Sequence, residues 1–244
     1  MKEKVRLDKL LVLKNHVENV SKAKALIMSG KVIVNEVKIE KPGTKFTTSI
    51  NIRIKKKPYN WVSRGGVKLD YAIKKLSLKL ENKICADIGS STGGFTDVLL
   101  SRNVAHVYSI DVGKGLLDWK ILQNRKVTML DKTNSRKIIL EDINPEISFV
   151  TCDLSFISLT KGLEKIVETK NKNVSILALI KPQFELTKEM IGKKGIVTNS
   201  DYRKTAIIKV SNWFHEKGWI RKNLIESPIK GTKGNKEYFI YCEK

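Results

Sequence analysis

The sequence predicts a doubly wound α/β fold, a Rossmann-like sheet with helices on both faces, preceded by a small N-terminal α+β domain. Three observations carry this prediction. From residue 61 onward, short apolar runs alternate with helix-length segments, the pattern of a parallel sheet wrapped by helices. The first of those runs, Lys83-Ile84-Cys85-Ala86, leads into a glycine-rich turn, Asp87-Ile88-Gly89-Ser90-Ser91-Thr92-Gly93-Gly94-Phe95-Thr96-Asp97. Three lysines and a proline at Lys55-Lys56-Lys57-Pro58-Tyr59-Asn60 then separate this region from a differently patterned N-terminus.

The N-terminal elements follow in order. Leu7, Leu10, Leu11 and Lys14 have helical spacing, Ser21 is the expected N-cap of a helix over Lys22–Met28, and Ser29-Gly30 ends it. Lys31 to Ile39 reads as strand, turn at Asn35-Glu36, and strand, and Asn51 to Lys55 as a further alternating strand. The expected domain is 1–57, with a linker at 58–62 and a second domain at 63–244. Trp61, at the junction, either packs between domains or stacks on a base.

In the second domain a helix is expected over Val67–Leu76, with Leu69, Ala72, Ile73 and Leu76 on one face. Strands are expected at Ile84–Ile88, His106–Ile110, Lys126–Leu130, Ser148–Cys152 and Val174–Ile180. A weaker one near Asn223–Glu226 and a last one at Tyr238–Cys242 complete the sheet, with one antiparallel strand at its edge.

Composition narrows the function. The 244 residues carry a net charge of +22, and residues 1–58 hold 15 Lys and Arg against 5 Asp and Glu. Such a balance calls for a polyanionic partner, RNA, DNA or an anionic membrane surface, unless the lysines merely solvate the surface. No apolar run approaches the ~20 residues that cross a bilayer, and Met1-Lys2-Glu3-Lys4 lacks the apolar core of a signal peptide. A cytoplasmic protein without stable membrane association is expected. Cys85, Cys152 and Cys242 are far apart in apolar runs and read as buried free thiols. His16, His106 and His215 have no ligand spacing, so no metal is expected.

The glycine turn differs from a dinucleotide fingerprint because an acid, Asp87, opens it and its glycines follow a Gly-x-x-x-Gly-Gly pattern. A carboxylate there repels a pyrophosphate but suits a cation, and the cationic adenosine ligand of this shape is S-adenosylmethionine. Asp111 ends the second strand roughly twenty residues beyond the turn, where an acid accepts ribose hydroxyls. Asp131, after the third strand, either accepts the adenine amino group or caps a helix. The fourth strand delivers Asp153-Leu154-Ser155-Phe156, without the prolines that grip a planar amine in enzymes methylating amino nitrogens. The fifth ends in Lys181, which either snorkels to solvent or belongs to a site. Lys68 lies in the first turn of a helix, where the dipole disfavours a cation, and Glu237 begins the last strand.

Two sets of motifs resemble known families. Arg6-Leu7-Asp8-Lys9, Ser21-Lys22-Ala23 and Gly30-Lys31-Val32-x-Val34-Asn35 resemble the S4 RNA-binding domain, whose basic helix pair binds structured RNA. Ser63-Arg64-Gly65-Gly66-x-Lys68-Leu69, the glycine turn, Asp111-Val112-Gly113, Asp153-Leu154-Ser155-Phe156-Ile157-Ser158, Lys181-Pro182-Gln183-Phe184-Glu185 and Gly234-Asn235-x-Glu237-Tyr238 resemble, in order, the TlyA family. These proteins join an S4 domain to an FtsJ-like ribosomal RNA methyltransferase domain, and the resemblance covers nearly the whole chain. It implies a Rossmann-like methyltransferase sheet and 2′-O-methylation of cytidine in ribosomal RNA, with S-adenosylmethionine as donor.

The resemblance places a Lys-Asp-Lys-Glu tetrad on Lys68, Asp153, Lys181 and Glu237. It places the cofactor on Asp87, Gly89, Ser91, Thr92, Gly93, Gly94, Phe95, Asp111 and Asp131, and RNA on Arg6, Lys9, Lys22, Lys24, Lys31 and Arg64. A ribose hydroxyl is a poor nucleophile and needs a positioned base aligned with the donor methyl. Lys181 serves as that base only once it has lost its own proton, a state that burial and the Lys68 ammonium favour and the two carboxylates oppose.

Ser90 stands where alanine is common in the family. The chain ends soon after Ile240, as in shorter members confined to the large subunit, so large-subunit RNA is favoured over small. Two readings from other classes compete. A haemolysin-type membrane-lytic protein would need a spanning segment or a helix with a broad apolar face. An RNA-binding assembly factor without catalysis would have no use for an intact tetrad.

Overall fold

The computed structural model describes residues 4–55, 59–231 and 233–244. Lys56 and Lys57, at the expected end of the first domain, and Pro58 of the expected linker lie outside the described residues, as does Thr232. By contacts the chain divides into two units, residues 1–60 and 61–244.

The first unit runs β1 (Lys4–Arg6), α1 (Leu7–Leu13), α2 (Val20–Met28), β2 (Val32–Val34), β3 (Val37–Ile39), β4 (Lys45–Thr47) and β5 (Ile52–Ile54). Leu7, Leu10 and Leu11 of α1 meet Ala23 and Ile27 of α2 over Val32, Val34 and Ile52, so the helical and alternating patterns converge on one core. The two-residue turn has Asn35 at φ 47° and Glu36 at φ 63°, the left-handed pair that matches hairpin twist. Two features depart from the sequence reading. The N-cap of α2 is Asn19, whose side chain accepts from the Lys22 amide at 2.9 Å, and Ser21 lies inside the first turn. Val20 can take the first helical position, which moves the cap upstream. Strands β1 and β4, paired antiparallel, were not anticipated, because three residues each give no readable alternation.

The second unit contains α3 (Gly65–Lys75), β6 (Ile84–Ile88), α4 (Gly94–Leu100), β7 (His106–Ile110), α5 (Trp119–Leu122), β8 (Val127–Leu130) and α6 (Leu140–Ile143). It continues with β9 (Ile147–Cys152), α7 (Leu159–Gly162), β10 (Ser175–Ile180), α8 (Pro182–Glu185), α9 (Ser200–Glu216), β11 (Ile220–Glu226) and β12 (Tyr238–Glu243). The seven strands lie in the order β11-β12-β10-β9-β6-β7-β8.

The central strands β6, β9 and β10 are buried on both sides, and the period of two sorts their residues. Ile176, Ala178 and Ile180 of β10 enter one core with Val210 and Phe214 of α9, while Leu177 and Leu179 enter the other with Leu69 of α3 and Val98 of α4. Each large side chain so buried contributes about 1.5–3 kcal/mol.

The antiparallel strand is not at the edge. β12 is inserted between β10, with Ile180 opposite Tyr238, and β11, with Glu226 opposite Tyr238. β11 takes the edge, and its residues are almost all exposed, which is why it gave only a weak apolar signal. Trp61 packs within the second unit, its ring filling the space above Gly66 that a Cβ would occupy. All three cysteines are free and buried, and burial pushes the Cys85 and Cys242 thiols up to about 12.

Candidate active site

The glycine turn is shaped by backbone that side chains would obstruct. Gly89 has φ 78°, and a Cβ there would lie 2.9 Å from the Asp153 carbonyl oxygen. The Gly89 and Ser90 amides both donate to the Ile110 carbonyl, at 2.9 and 3.1 Å, which ties the turn to the end of β7. Gly93, at φ 89°, is the left-handed cap of α4. A Cβ on Gly94 would overlap the Ser63 hydroxyl and lie 3.0 Å from the Gly66 amide, so α3 and α4 approach closely where both face the site.

Three acids surround this turn, and they do different work. Asp111 accepts from the Ser91 amide through Oδ2 and the Gly113 amide through Oδ1, both at 2.8 Å, and lines a cavity of about 500 Å³ with Val112, Leu116 and Phe156. Asp131 accepts from the Gly115 amide at 3.0 Å through Oδ2, while its Oδ1 is buried without a hydrogen-bond partner. Asp87 is fully buried and lines neither this cavity nor the one below. Its carboxylate accepts from the Thr96 hydroxyl at 2.7 Å and the Thr151 hydroxyl at 2.9 Å, which ties β6 to α4 and β9. Burial with no cation at hand pushes Asp87 up to about 6, against the downward pull of the two threonine hydroxyls.

Beside the turn, a second cavity of about 490 Å³ is lined by Gly89, Ser91, Thr92, Gly94 and Phe95 on one side and by Lys68, Asp153, Lys181 and Glu237 on the other. Those four residues come from four separate elements. Lys68 is in the first turn of α3; Asp153 follows β9, its amide bonded to the Ile88 carbonyl at 3.0 Å; Lys181 ends β10, where Pro182 starts α8. Glu237 immediately precedes β12, and its carboxylate occupies the space a Cβ on Gly231 would take.

They form one chain of alternating charge. Glu237 Oε2 lies 2.6 Å from Lys68 Nζ, Lys68 Nζ lies 4.0 Å from Asp153 Oδ2, and Asp153 Oδ1 lies 2.6 Å from Lys181 Nζ. The Lys181 ammonium also donates to the Ser155 hydroxyl at 2.8 Å. Lys68, Lys181 and Glu237 are buried, and such charges persist in a low-dielectric interior only when each has its counter-ion. Two lysines sharing one aspartate can hold a small hydroxyl between charges and take or give a proton there.

The expected RNA contacts are placed differently from one another. Lys9 and Lys24 are exposed, Lys22 is exposed and pairs with Glu18, and Lys31 is half-buried. Arg6 is committed to Asp8, with Nη2 to Oδ2 at 2.6 Å. In the second unit, Arg64 lines the tetrad cavity and its guanidinium donates to the Lys230 carbonyl.

Other residues at the site were not singled out from sequence. Phe156 has φ 66° and is 88% exposed on the rim of both cavities, its ring centroid 5.4 Å from that of Phe184. Glu185 is buried and accepts from the Ser158 hydroxyl at 2.5 Å and the Leu159 amide at 2.8 Å, clamping the loop of Asp153 to the loop of Lys181. Burial pushes this carboxyl up. Both residues lie inside quoted motifs, but only their surroundings reveal what they do.

Among the described residues, no group of three or more His, Cys, Asp or Glu could hold a metal ion, and no helix is long and apolar enough to cross a membrane.

Residues 61–244 match the FtsJ-like methyltransferase family and residues 5–49 match the S4 domain. The chain is 36% identical over 243 residues to the 16S/23S rRNA (cytidine-2′-O)-methyltransferase TlyA of Mycobacterium tuberculosis, covering 99% of this chain and 90% of that protein. It is 37% identical over 238 residues to Hemolysin A of Brachyspira hyodysenteriae, covering 97% of this chain and 99% of that one. A solved structure from Streptococcus thermophilus, named as a hemolysin, superposes with a TM-score of 0.75 at 36% identity, covering 100% of this chain and 90% of that one.

Proposed function

The chain belongs to the TlyA family, an S4 domain joined to an FtsJ-like methyltransferase domain, and on that premise we propose that it methylates the ribose 2′-hydroxyl of cytidine in ribosomal RNA. The observation that carries this reading is the continuous chain of charge from Glu237 through Lys68 and Asp153 to Lys181, beside a glycine turn.

S-adenosylmethionine supplies a methyl group on a sulfonium, which a nucleophile takes in line. The residues present suit that cofactor. The backbone cradle at Gly89 has no room for a side chain, Asp111 offers carboxylate oxygens to ribose hydroxyls, and the unpartnered Oδ1 of Asp131 suits an adenine amino group. Ser91, Thr92, Gly94 and Phe95 border the space between cofactor and tetrad. Asp87 and Gly93 act from beneath, by holding the turn and its helix cap in place.

At the tetrad, Asp153 and Ser155 fix the Lys181 amine against the incoming 2′-hydroxyl. Lys181, once it has given up the proton with which it meets Asp153, takes the proton of the 2′-hydroxyl, and bound S-adenosylmethionine would supply the methyl group to that oxygen. Lys68, held by Glu237, keeps Asp153 from turning away. Phe156, exposed in a left-handed conformation at the rim, offers a face for the cytosine ring. The S4 domain, taken as 1–57, grips structured RNA through Lys9, Lys22, Lys24 and Lys31 and presents it to the catalytic domain, taken as 63–244. We favour large-subunit RNA as the target.

The decisive experiment is Lys181→Ala. Methyl transfer from labelled S-adenosylmethionine to ribosomal RNA should fall at least ~10²-fold, with cofactor affinity by calorimetry unchanged. Wild-type turnover in that variant removes Lys181 as base. Membrane lysis that persists in a variant lacking both Lys181 and Asp153 favours the lytic reading instead.

A further inference from the structure

Between β7 and β8 the chain exposes four large apolar side chains, two of which, Trp119 and Leu122, the proposed chemistry does not use. Val112 is 72% exposed, Leu116 43%, Trp119 68% and Leu122 48%. Val112 and Leu116 line the cavity that holds Asp111, and Trp119 and Leu122 follow in α5. The opposite face of this segment is buried, with Leu117 and Ile121 seated under Gly93. The fold therefore fixes the segment rigidly and turns its largest side chain to solvent.

Large apolar side chains held exposed in this way mark an interaction site, and tryptophan is enriched where such contacts carry energy. What surrounds it decides the partner. Lys114 and Arg125 are exposed five residues before and six residues after Trp119, whereas Asp118 Oδ1 accepts from the Lys120 amide at 3.0 Å and the Lys120 ammonium pairs with Asp97 at 3.2 Å. An aromatic face flanked by cations fits a nucleobase with its flanking phosphates; an apolar protein surface would leave both cations unmatched. We propose that Trp119 stacks on an unpaired base of the RNA near the target nucleotide, with Lys114 and Arg125 on the adjoining phosphates. This surface rests on the reading of the chain as an RNA methyltransferase and adds a contact on the catalytic domain itself.

The test measures binding to protein-free large-subunit ribosomal RNA and, separately, to S-adenosylmethionine, for the wild type, Trp119→Ala, Trp119→Phe and a Lys114→Glu, Arg125→Glu double variant. Trp119→Ala should weaken RNA binding about tenfold or more, Trp119→Phe should retain most of it, and cofactor affinity should not move. The double variant should weaken binding and flatten its salt dependence. RNA binding equal to wild type in Trp119→Ala overturns the surface, as does a loss of cofactor affinity in step with RNA. Wild-type protein that binds no ribosomal RNA overturns the functional reading, a result distinct from any behaviour of the Trp119 variants.

Discussion

The two halves of the site are built on opposite principles. The glycine turn is made of backbone: its amides and left-handed residues shape the cradle, and the acid that opens it, Asp87, is consumed by Thr96 and Thr151 inside the core. The tetrad is made of side chains, four charges drawn from four elements and balanced only against each other. Asp87 lies in β6 and Asp153 follows the adjacent parallel strand β9, yet one carboxylate lies among hydroxyls and the other between lysines. Position in a sheet thus sets where a carboxylate is delivered, and its neighbours set what it does.

The sharpest way to break the contrast is Lys68→Met, which strands the buried Glu237. Methyl transfer should fall at least ~10²-fold and unfolding free energy by about 3–5 kcal/mol. Adding Glu237→Leu should restore most of the stability, read by thermal melting, but none of the activity, because an apolar pair replaces the packing and not the charges. Recovery of activity in the double variant would show that this pair is only structural.

A smaller effect is expected on the backbone side. Gly89→Ala forces a side chain into a left-handed conformation, about 1–2 kcal/mol, and against the Asp153 carbonyl. Cofactor affinity by calorimetry should fall about tenfold or more. An unchanged affinity would mean that the close approach of β6 and β9 does not shape the cradle.

The last effect concerns stability alone and belongs to Asp87. Unfolded, an aspartate holds its proton only below about 4, whereas burial lets folded Asp87 hold it up to about 6. Between those values the folded state binds the extra proton, so the contribution of Asp87 to stability is greatest below about pH 4 and falls as pH rises to 6, by about 3 kcal/mol. Asp87→Asn should flatten the stability profile across that window in denaturant titrations. An unchanged slope would place the titration elsewhere.

Much of this was legible in the sequence, for identifiable reasons. Strands β6, β9 and β10 are buried on both faces, so each shows as an apolar run, and Asp153 and Lys181 stood out as charges where such runs end. Which carboxylate serves which lysine was not legible, because Lys68 and Glu237 are brought together only by the insertion of β12. The edge strand β11 has little apolar content to read. Asp87 looked like a ligand contact because acid before glycine suggests one; only the burial of its partners Thr96 and Thr151 shows it facing inward. Phe156 is an ordinary aromatic in a loop until its exposure and backbone conformation are seen.

The insertion of β12 also orders events in time. Because β12 lies between β10 and β11, the strand that follows Glu237 reaches its place only after the segments on both sides of it exist. During translation, a nascent chain that has emerged as far as α9 holds Lys68 without Glu237 and β10 with one open edge. Such a chain has the residues of its glycine turn but not its charge chain, so on the proposed reading it carries one half of the site without the other. On the proposed reading the site is whole only once the β11–β12 hairpin sets Glu237 against Lys68.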